Sequence, residues 1–319
     1  MITRFDFAPL DGITKRVFRE VWSQQFGGAD RYFVPFFSPT DQHILTPRDR
    51  RELENPLGLP LVPQVMTRRA ADFLWALEVL ADMGFREANL NLGCPSGTVT
   101  AKGKGSGMLA DPDQLDRFLD EVFAQASIAV SVKTRLGYQT PEEFPRLMEV
   151  FDRYPIACLT VHPRVRPEKY RGAVHLDLFA AALAESRNPV CYNGDLTSVA
   201  GVRTLEARFP GLEAVMLGRG AIADPALFRR LRGGPPAAKA ELQAFMAQLY
   251  QAYQDFYGQV NPASQRMKEV WFYLIHLFDG GERLGGKMRR SRGARDYELL
   301  EARIFQELEL LDAPLGELI

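Results

Sequence analysis

The stretch Asn89-Leu90-Asn91-Leu92-Gly93-Cys94-Pro95 carries the residue types best suited to chemistry. Its alternation has a period of two, so Asn89 and Asn91 share one face of a strand while Leu90 and Leu92 share the other. A lone thiol follows at the strand exit, held between glycine and proline and next to two side-chain amides that can both donate and accept. The loop beyond it, with Ser96, Gly97, Lys102, Gly103, Lys104, Gly105, Ser106 and Gly107, is poor in bulk and rich in glycine and lysine. Such a loop can bend around a substrate. It lacks the GxxxxGK[ST] spacing of a nucleotide-binding P-loop, which excludes that reading.

The thiol needs a scaffold, and the rest of the chain supplies a repeating one. Apolar strand-like runs fall at Phe5–Ala8, Tyr32–Phe36, Leu61–Met66, Ala88–Leu92, Ile128–Lys133, Cys158–His162, Val190–Asn193 and Ala214–Leu217. They recur roughly every 25 to 40 residues, the length of a βα unit with its loops. Amphipathic segments lie between them. In one, Asp111 can cap, Pro112 fits the first turn, and Leu115, Phe118, Leu119, Val122, Phe123 and Ala126 form a stripe. Another stripe joins Ala70, Phe73, Leu74, Leu77, Leu80 and Ala81. Strand parity then separates a closed barrel from an open sheet. One parity collects Asn89/Asn91, Ser131/Lys133/Arg135, Thr160/His162 and Asn193/Asp195, and the other is apolar. A strand with one polar row suits a barrel lining, whereas both faces of a doubly wound sheet meet helices. The expected fold is therefore α/β, an eight-stranded (β/α)8 TIM barrel over residues 1–232, with its polar strand ends converging at the C-terminal mouth.

Beyond Gly233-Gly234-Pro235-Pro236 the strand signals stop. The spacing predicts a smaller, all-helical C-terminal domain over residues 237–319, with helices near Lys239–Tyr257, Pro262–Phe278 and Ala294–Leu311. Arg283, Lys287, Arg289, Arg290, Arg292 and Arg295 form a run with no acid among them, read as a flexible basic arm between helices and suited to RNA phosphates.

Composition narrows the classes. The 319 residues are 46% hydrophobic and 25% charged, which is globular rather than disordered material. The first residues lack a basic segment followed by an apolar core, and no apolar run reaches the roughly 20 residues that span a bilayer, so the expectation is a soluble, cytoplasmic protein without membrane partners. Cys94, Cys158 and Cys191 contain no CxxC pair, and His43, His162, His175 and His276 contain no HExxH. Neither a disulfide framework nor a metal site is expected. A net charge of -1 leaves nucleic-acid binding to local clustering.

Taken together, Ala8-Pro9-Leu10-Asp11-Gly12-Ile13, Asn91-Leu92-Gly93-Cys94-Pro95, Lys102–Gly107, Lys133-Thr134-Arg135, His162-Pro163-Arg164, Asn193-Gly194-Asp195 and Gly218-Arg219-Gly220 make the chain resemble the tRNA-dihydrouridine synthases. The blocks keep the family's order across roughly residues 5 to 230. The resemblance implies a barrel that holds FMN, a helical domain that grips tRNA, and NADPH as the electron source; no obligate protein partner is implied. It places Ala8, Pro9, Leu10, Gln64, Lys133, His162, Asn193, Gly194, Asp195, Gly218 and Arg219 at the flavin. Asn91 and Arg135 fall near the uracil, and Lys287, Arg289, Arg290 and Arg292 on the tRNA.

These roles have a physical rationale. An ammonium at Lys133 suits N1 and O2 of the isoalloxazine ring, where negative charge accumulates on reduction. Glycines and an arginine after the seventh and eighth strands suit a phosphate. Reducing the C5=C6 bond of uracil needs a hydride at C6 and a proton at C5, and Cys94 is the expected proton donor, a role that requires the thiol rather than the thiolate. Two departures stand out: the family usually has His-Gly-Arg where this chain has His162-Pro163-Arg164, and glutamate where it has Asp11. Arg164 is accordingly left without a role. The alternatives are a flavin barrel acting on a small pyrimidine and a non-catalytic tRNA-binding protein.

Overall fold

A computed structural model of the chain describes residues 1–316; residues 317–319, the end of the expected helical domain, lie outside them. Eight parallel strands close into a barrel in sequence order: β1 Arg4–Phe7, β2 Arg31–Phe37, β3 Leu61–Val65, β4 Glu87–Leu92, β5 Ala129–Arg135, β6 Leu159–His162, β7 Val190–Tyr192 and β8 Ala214–Leu217. Each stands where its apolar run is, with ends shifted by a residue or two.

The ladder register stacks the inward side chains in layers. Gln64 pairs with Asn89 and Asn89 with Ser131. One layer further along, Asn91 pairs with Lys133, Lys133 with Thr160 and Thr160 with Cys191. Residues paired in a parallel ladder point to the same face, so each layer is a belt of neighbouring polar groups. Between them the lumen is filled by Ala8, Phe33, Val62, Cys158, Cys191, Ala214 and Met216.

Below these layers lies a charged plug that parity alone did not single out. Arg31 reaches both oxygens of the fully buried Asp6, at 3.0 and 2.7 Å, and a Glu87 oxygen at 3.0 Å. Arg4 donates to the Cys158 sulfur at 3.0 Å. A hydrogen bond from Cys191 above all, against the effect of burial and helped by the Arg4 charge, draws the Cys158 thiol down to about 7. None of the three cysteines is in a disulfide.

By compactness the chain divides into two units. The first comprises Met1–Pro9, Arg31–Gly194 and Arg208–Met216, and the second Leu10–Asp30, Asp195–Ala207 and the chain from Leu217 onward. In the first unit the helix Pro112–Gln125 begins as expected, with Asp111 accepting from the Gln114 amide at 2.9 Å. Its Leu115, Phe118, Leu119 and Val122 are buried, while Phe123 and Ala126 are only partly covered. The helix Ala70–Asp82 buries Phe73, Ala76, Leu77 and Leu80, and Phe73 meets Phe118 edge-on at 6.1 Å.

In the second unit, helix Lys239–Tyr257 has the bounds that its periodicity implies. Helix Val260–Leu274 tightens into a 3-10 turn over Ile275–Leu277, and a last long helix spans Ala294–Glu307. The middle helix buries Val270, Trp271 and Leu274, as bundle core should. Trp271 and the Tyr297 hydroxyl both donate to Glu301, whose carboxyl is pushed up by burial.

The basic segment is not a flexible arm: Glu282–Arg290 is helical. Glu282 occupies its first turn and Lys287, Arg289 and Arg290 its last, which suits the helix dipole at both ends. Two mid-helix glycines disguised it. At Gly285 a β carbon would press to 3.0 Å on Ile275 Cγ1, so the glycine permits close packing. Among the described residues no helix is long and apolar enough to cross a membrane, and no group of three or more potential metal ligands occurs.

Candidate active site

In the first unit a chain of amides runs from the barrel lumen to the thiol. Asn89 donates to Ser131 Oγ at 3.0 Å, and Gln64 to Asn89 Oδ1 at 2.8 Å. Asn91 donates to Gln64 Oε1 at 2.7 Å. The Asn91 oxygen then accepts from the backbone amides of Gly93 and Cys94 at 3.1 and 3.0 Å. This carboxamide is acceptor to the thiol's own peptide group, so its orientation is fixed by the barrel lining. Gln64 keeps one N–H and one lone pair beyond these bonds.

Other contacts hold the loop from outside. The Cys94 carbonyl accepts from the Ser106 amide at 3.1 Å and the Ser106 hydroxyl at 2.8 Å. Gly105 has φ of +58°, and a β carbon there would stand 2.9 Å from Cys94 Cβ, so only glycine fits beside the cysteine. Cys94 itself is partly exposed, in contrast with the buried Cys158 and Cys191.

Arg135, expected near the uracil, lies at the end of β5. It is buried, donating through Nε to the Gly93 carbonyl at 2.8 Å and through Nη1 to the Val165 carbonyl at 3.2 Å. It thus ties the loop after β4 to the loop after β6. Its guanidinium lies 5.4 Å from the Tyr170 ring centre, and that ring meets His162 at 6.0 Å. Tyr170 is 41% exposed. Sequence reasoning missed it, since a tyrosine in a long loop has no periodicity to mark its face. Arg164 is buried beside His162, with Nη1 3.3 Å from the ring Nε2, and its backbone amide donates to the His162 carbonyl at 2.7 Å.

Lys133 is the group best suited to an anionic or carbonyl-bearing ligand. Among the described residues its ammonium has no hydrogen bond or ion pair. Burial above all, then repulsion from Arg135, draws it down to about 8, with Cys191 and Cys94 opposing weakly. Its ladder neighbour Thr160 has a buried hydroxyl that also lacks a partner. Two adjacent polar groups left unsatisfied inside a barrel fit a polar ring edge, because buried donors are ordinarily paired. The flavin expected from the resemblance meets that requirement.

Of the remaining expected flavin contacts, Ala8 is buried in the lumen cluster and Pro9 partly covered. Asn193 is tied by its amide to the Met216 carbonyl at 2.8 Å. Gly194 lies against the Tyr192 hydroxyl, 3.0 Å from its β-carbon position. In the second unit, Leu10 donates to Thr14 Oγ1 at 2.8 Å. There Asp195, at φ of +42°, pairs with Arg219 at 2.6 Å, and Gly218 precedes the short helix Arg219–Ala223. A phosphate reaching that guanidinium would share it with a carboxylate. In the same unit Arg289 lies 5.9 Å from the Phe272 ring, and Lys287, Arg289, Arg290 and Arg292 are all exposed.

Comparison with known proteins places the chain in a family. The family model described as dihydrouridine synthase (Dus) matches residues 6–291. The chain is 28% identical over 277 residues to tRNA-dihydrouridine synthase B of Proteus vulgaris, covering 84% of each chain. It is 30% identical over 264 residues to a probable tRNA-dihydrouridine synthase of Rhodobacter capsulatus, covering 79% of this chain and 80% of that one. Among solved structures, morphinone reductase superposes with a TM-score of 0.54 at 14% identity, over 74% of this chain and 87% of that one. The old yellow enzyme from Trypanosoma cruzi does so with a TM-score of 0.54 at 10% identity, over 80% and 94%. At such identities these two speak to the barrel fold alone. The family match, which runs from β1 into the basic helix and takes in the Cys94 loop, shows that this chain belongs to the dihydrouridine synthase family.

Proposed function

We propose that the protein reduces the C5=C6 bond of uridines in transfer RNA, with FMN in the barrel mouth and NADPH as the reductant. The reading is carried by the Cys94 loop, which Asn91, Ser106 and Arg135 hold at the strand ends while the Lys133 ammonium stands without a partner. A flavin held there, once reduced, would supply the hydride that C6 of uracil needs. Cys94 gives its thiol proton to C5, and the resulting thiolate recovers a proton from solvent. Asn91 fixes the direction of the thiol through two backbone amides. Arg135 holds the same loop by the Gly93 carbonyl.

Lys133 would face the flavin edge that gains negative charge, and Thr160 and the spare capacity of Gln64 would complete that edge. His162, Asn193 and Gly194, with Ala8, Pro9 and Leu10, are assigned to the flavin by the resemblance. Asp195, Gly218 and Arg219 are assigned to its phosphate on the same ground. The exposed face of Tyr170 offers a stacking surface for an extruded base. Lys287, Arg289, Arg290 and Arg292 are assigned to tRNA phosphates.

The test uses the purified holoenzyme, tRNA lacking dihydrouridine, and NADPH. A yellow protein that forms dihydrouridine in tRNA but leaves free uridine untouched supports the reading. Equal activity on the free nucleoside would make it a small-pyrimidine reductase, and a colourless, inactive protein a non-catalytic RNA binder.

A further inference from the structure

Three cations in the first unit stand around the Cys94 loop without acidic partners. Lys102 and Lys104 flank Gly103, and Arg68, from the loop after β3, lies along that glycine: its Cδ and Nη1 are 3.5 and 3.7 Å from the β-carbon position. Arg68 and Lys102 are exposed and Lys104 partly so. Among the described residues none of the three forms an ion pair. Neighbouring Arg69 behaves differently, held by Asp41 at 2.8 Å and Asp72 at 3.6 Å.

The turn that bears the lysines is built onto the thiol. Lys104 donates its amide to the Val99 carbonyl at 3.3 Å, Gly105 packs on Cys94, and Ser106 makes two hydrogen bonds to the Cys94 carbonyl. The backbone that bears the two lysines is therefore tied to the peptide group of Cys94.

We propose that Arg68, Lys102 and Lys104 bind phosphates of the RNA strand immediately flanking the target uridine, an inference that rests on the tRNA-reducing function above. An extruded base loses its stacking, and cations carried by the loops around the thiol offset that loss where it arises. A polyanionic strand suits this patch better than a nicotinamide coenzyme, whose few phosphates are grouped on one small molecule. The three charges are separate, two sit on flexible lysine stems, and no buried donor shapes a pocket around them.

The test compares holoenzyme with a variant carrying Arg68→Gln, Lys102→Gln and Lys104→Gln, alongside the three single variants. Flavin content, flavin bleaching by NADPH without RNA, and the Kd for a tRNA transcript across a KCl series are measured. The triple variant keeps its flavin and its bleaching rate, binds tRNA at least about tenfold more weakly, and loses about 2 from the slope of log Kd against log salt, at roughly 0.7 per single-strand contact. Each single variant loses about a third of that slope. An unchanged Kd and slope overturn the proposal. Slower bleaching with unchanged tRNA binding assigns the patch to the coenzyme and overturns it equally. Failure of the unmodified holoenzyme to bind tRNA would instead sink the functional reading beneath it.

Discussion

Replacing Lys133 by methionine should stabilise the flavin-free protein while weakening its hold on flavin. Burial, and secondarily Arg135, draws the ammonium from its ordinary 10.5 down to about 8, a depression of about 2.5 pH units worth about 3 kcal/mol. The side chain is only partly accessible, so solvent screening leaves roughly 2–3 kcal/mol as the cost of charging it in the folded protein. The sign follows from linkage. Below pH 8 both folded and unfolded chains carry the proton and the penalty is constant; between about 8 and 10.5 the unfolded chain binds more protons, so stability rises with pH. Lys133→Met removes the penalty at every pH. Urea unfolding of the flavin-free proteins at pH 7 should show the variant more stable by about 2–3 kcal/mol, and the gap should close as the pH rises through 8 to 10. A variant less stable than the parent at pH 7, or a gap independent of pH, would refute the buried, unpaired ammonium.

Asp6→Ala strips the plug of its shared acceptor and leaves Arg31 with only Glu87, so unfolding should become easier by roughly 3–5 kcal/mol, readable by chemical denaturation, with no change in the flavin spectrum. Iodoacetamide should modify Cys94 in the native flavin-free protein and all three cysteines only after unfolding, as mass spectrometry would show; rapid native labelling of Cys158 would contradict its burial. Arg289→Ala with Arg290→Ala should weaken tRNA binding and flatten its salt dependence by about 1.4 in log–log slope, at roughly 0.7 per contact, while leaving flavin content intact, and an unaltered slope removes the basic helix from the interface.

Much of this arrangement was legible in the order of residues. Period-two alternation at Asn89–Leu92 marks which side chains face the lumen, because a strand can only alternate; apolar runs recurring at the length of a βα unit locate all eight strands. Asp111-Pro112 announced a helix start because both residues act locally. Contacts made between loops left no such trace. Arg135 stood at a strand end like a ligand-binding residue, yet its hydrogen bonds go to carbonyls of Gly93 and Val165, partners that no spacing rule specifies. Tyr170 and Arg68 were passed over for the same reason. The helix Glu282–Arg290 reads as a flexible arm in the sequence because Gly285 and Gly286 lower its intrinsic propensity, and its close packing on Ile275 is a tertiary gain that overrides that deficit.

The most direct test of the central claim is single-turnover reduction of tRNA by Cys94→Ala, loaded with flavin and reduced beforehand by NADPH. The account predicts normal flavin content, normal reduction by NADPH, and a rate of dihydrouridine formation at least about a hundredfold below the parent, the usual scale for a lost general acid. Dihydrouridine formation at the parent rate would contradict it.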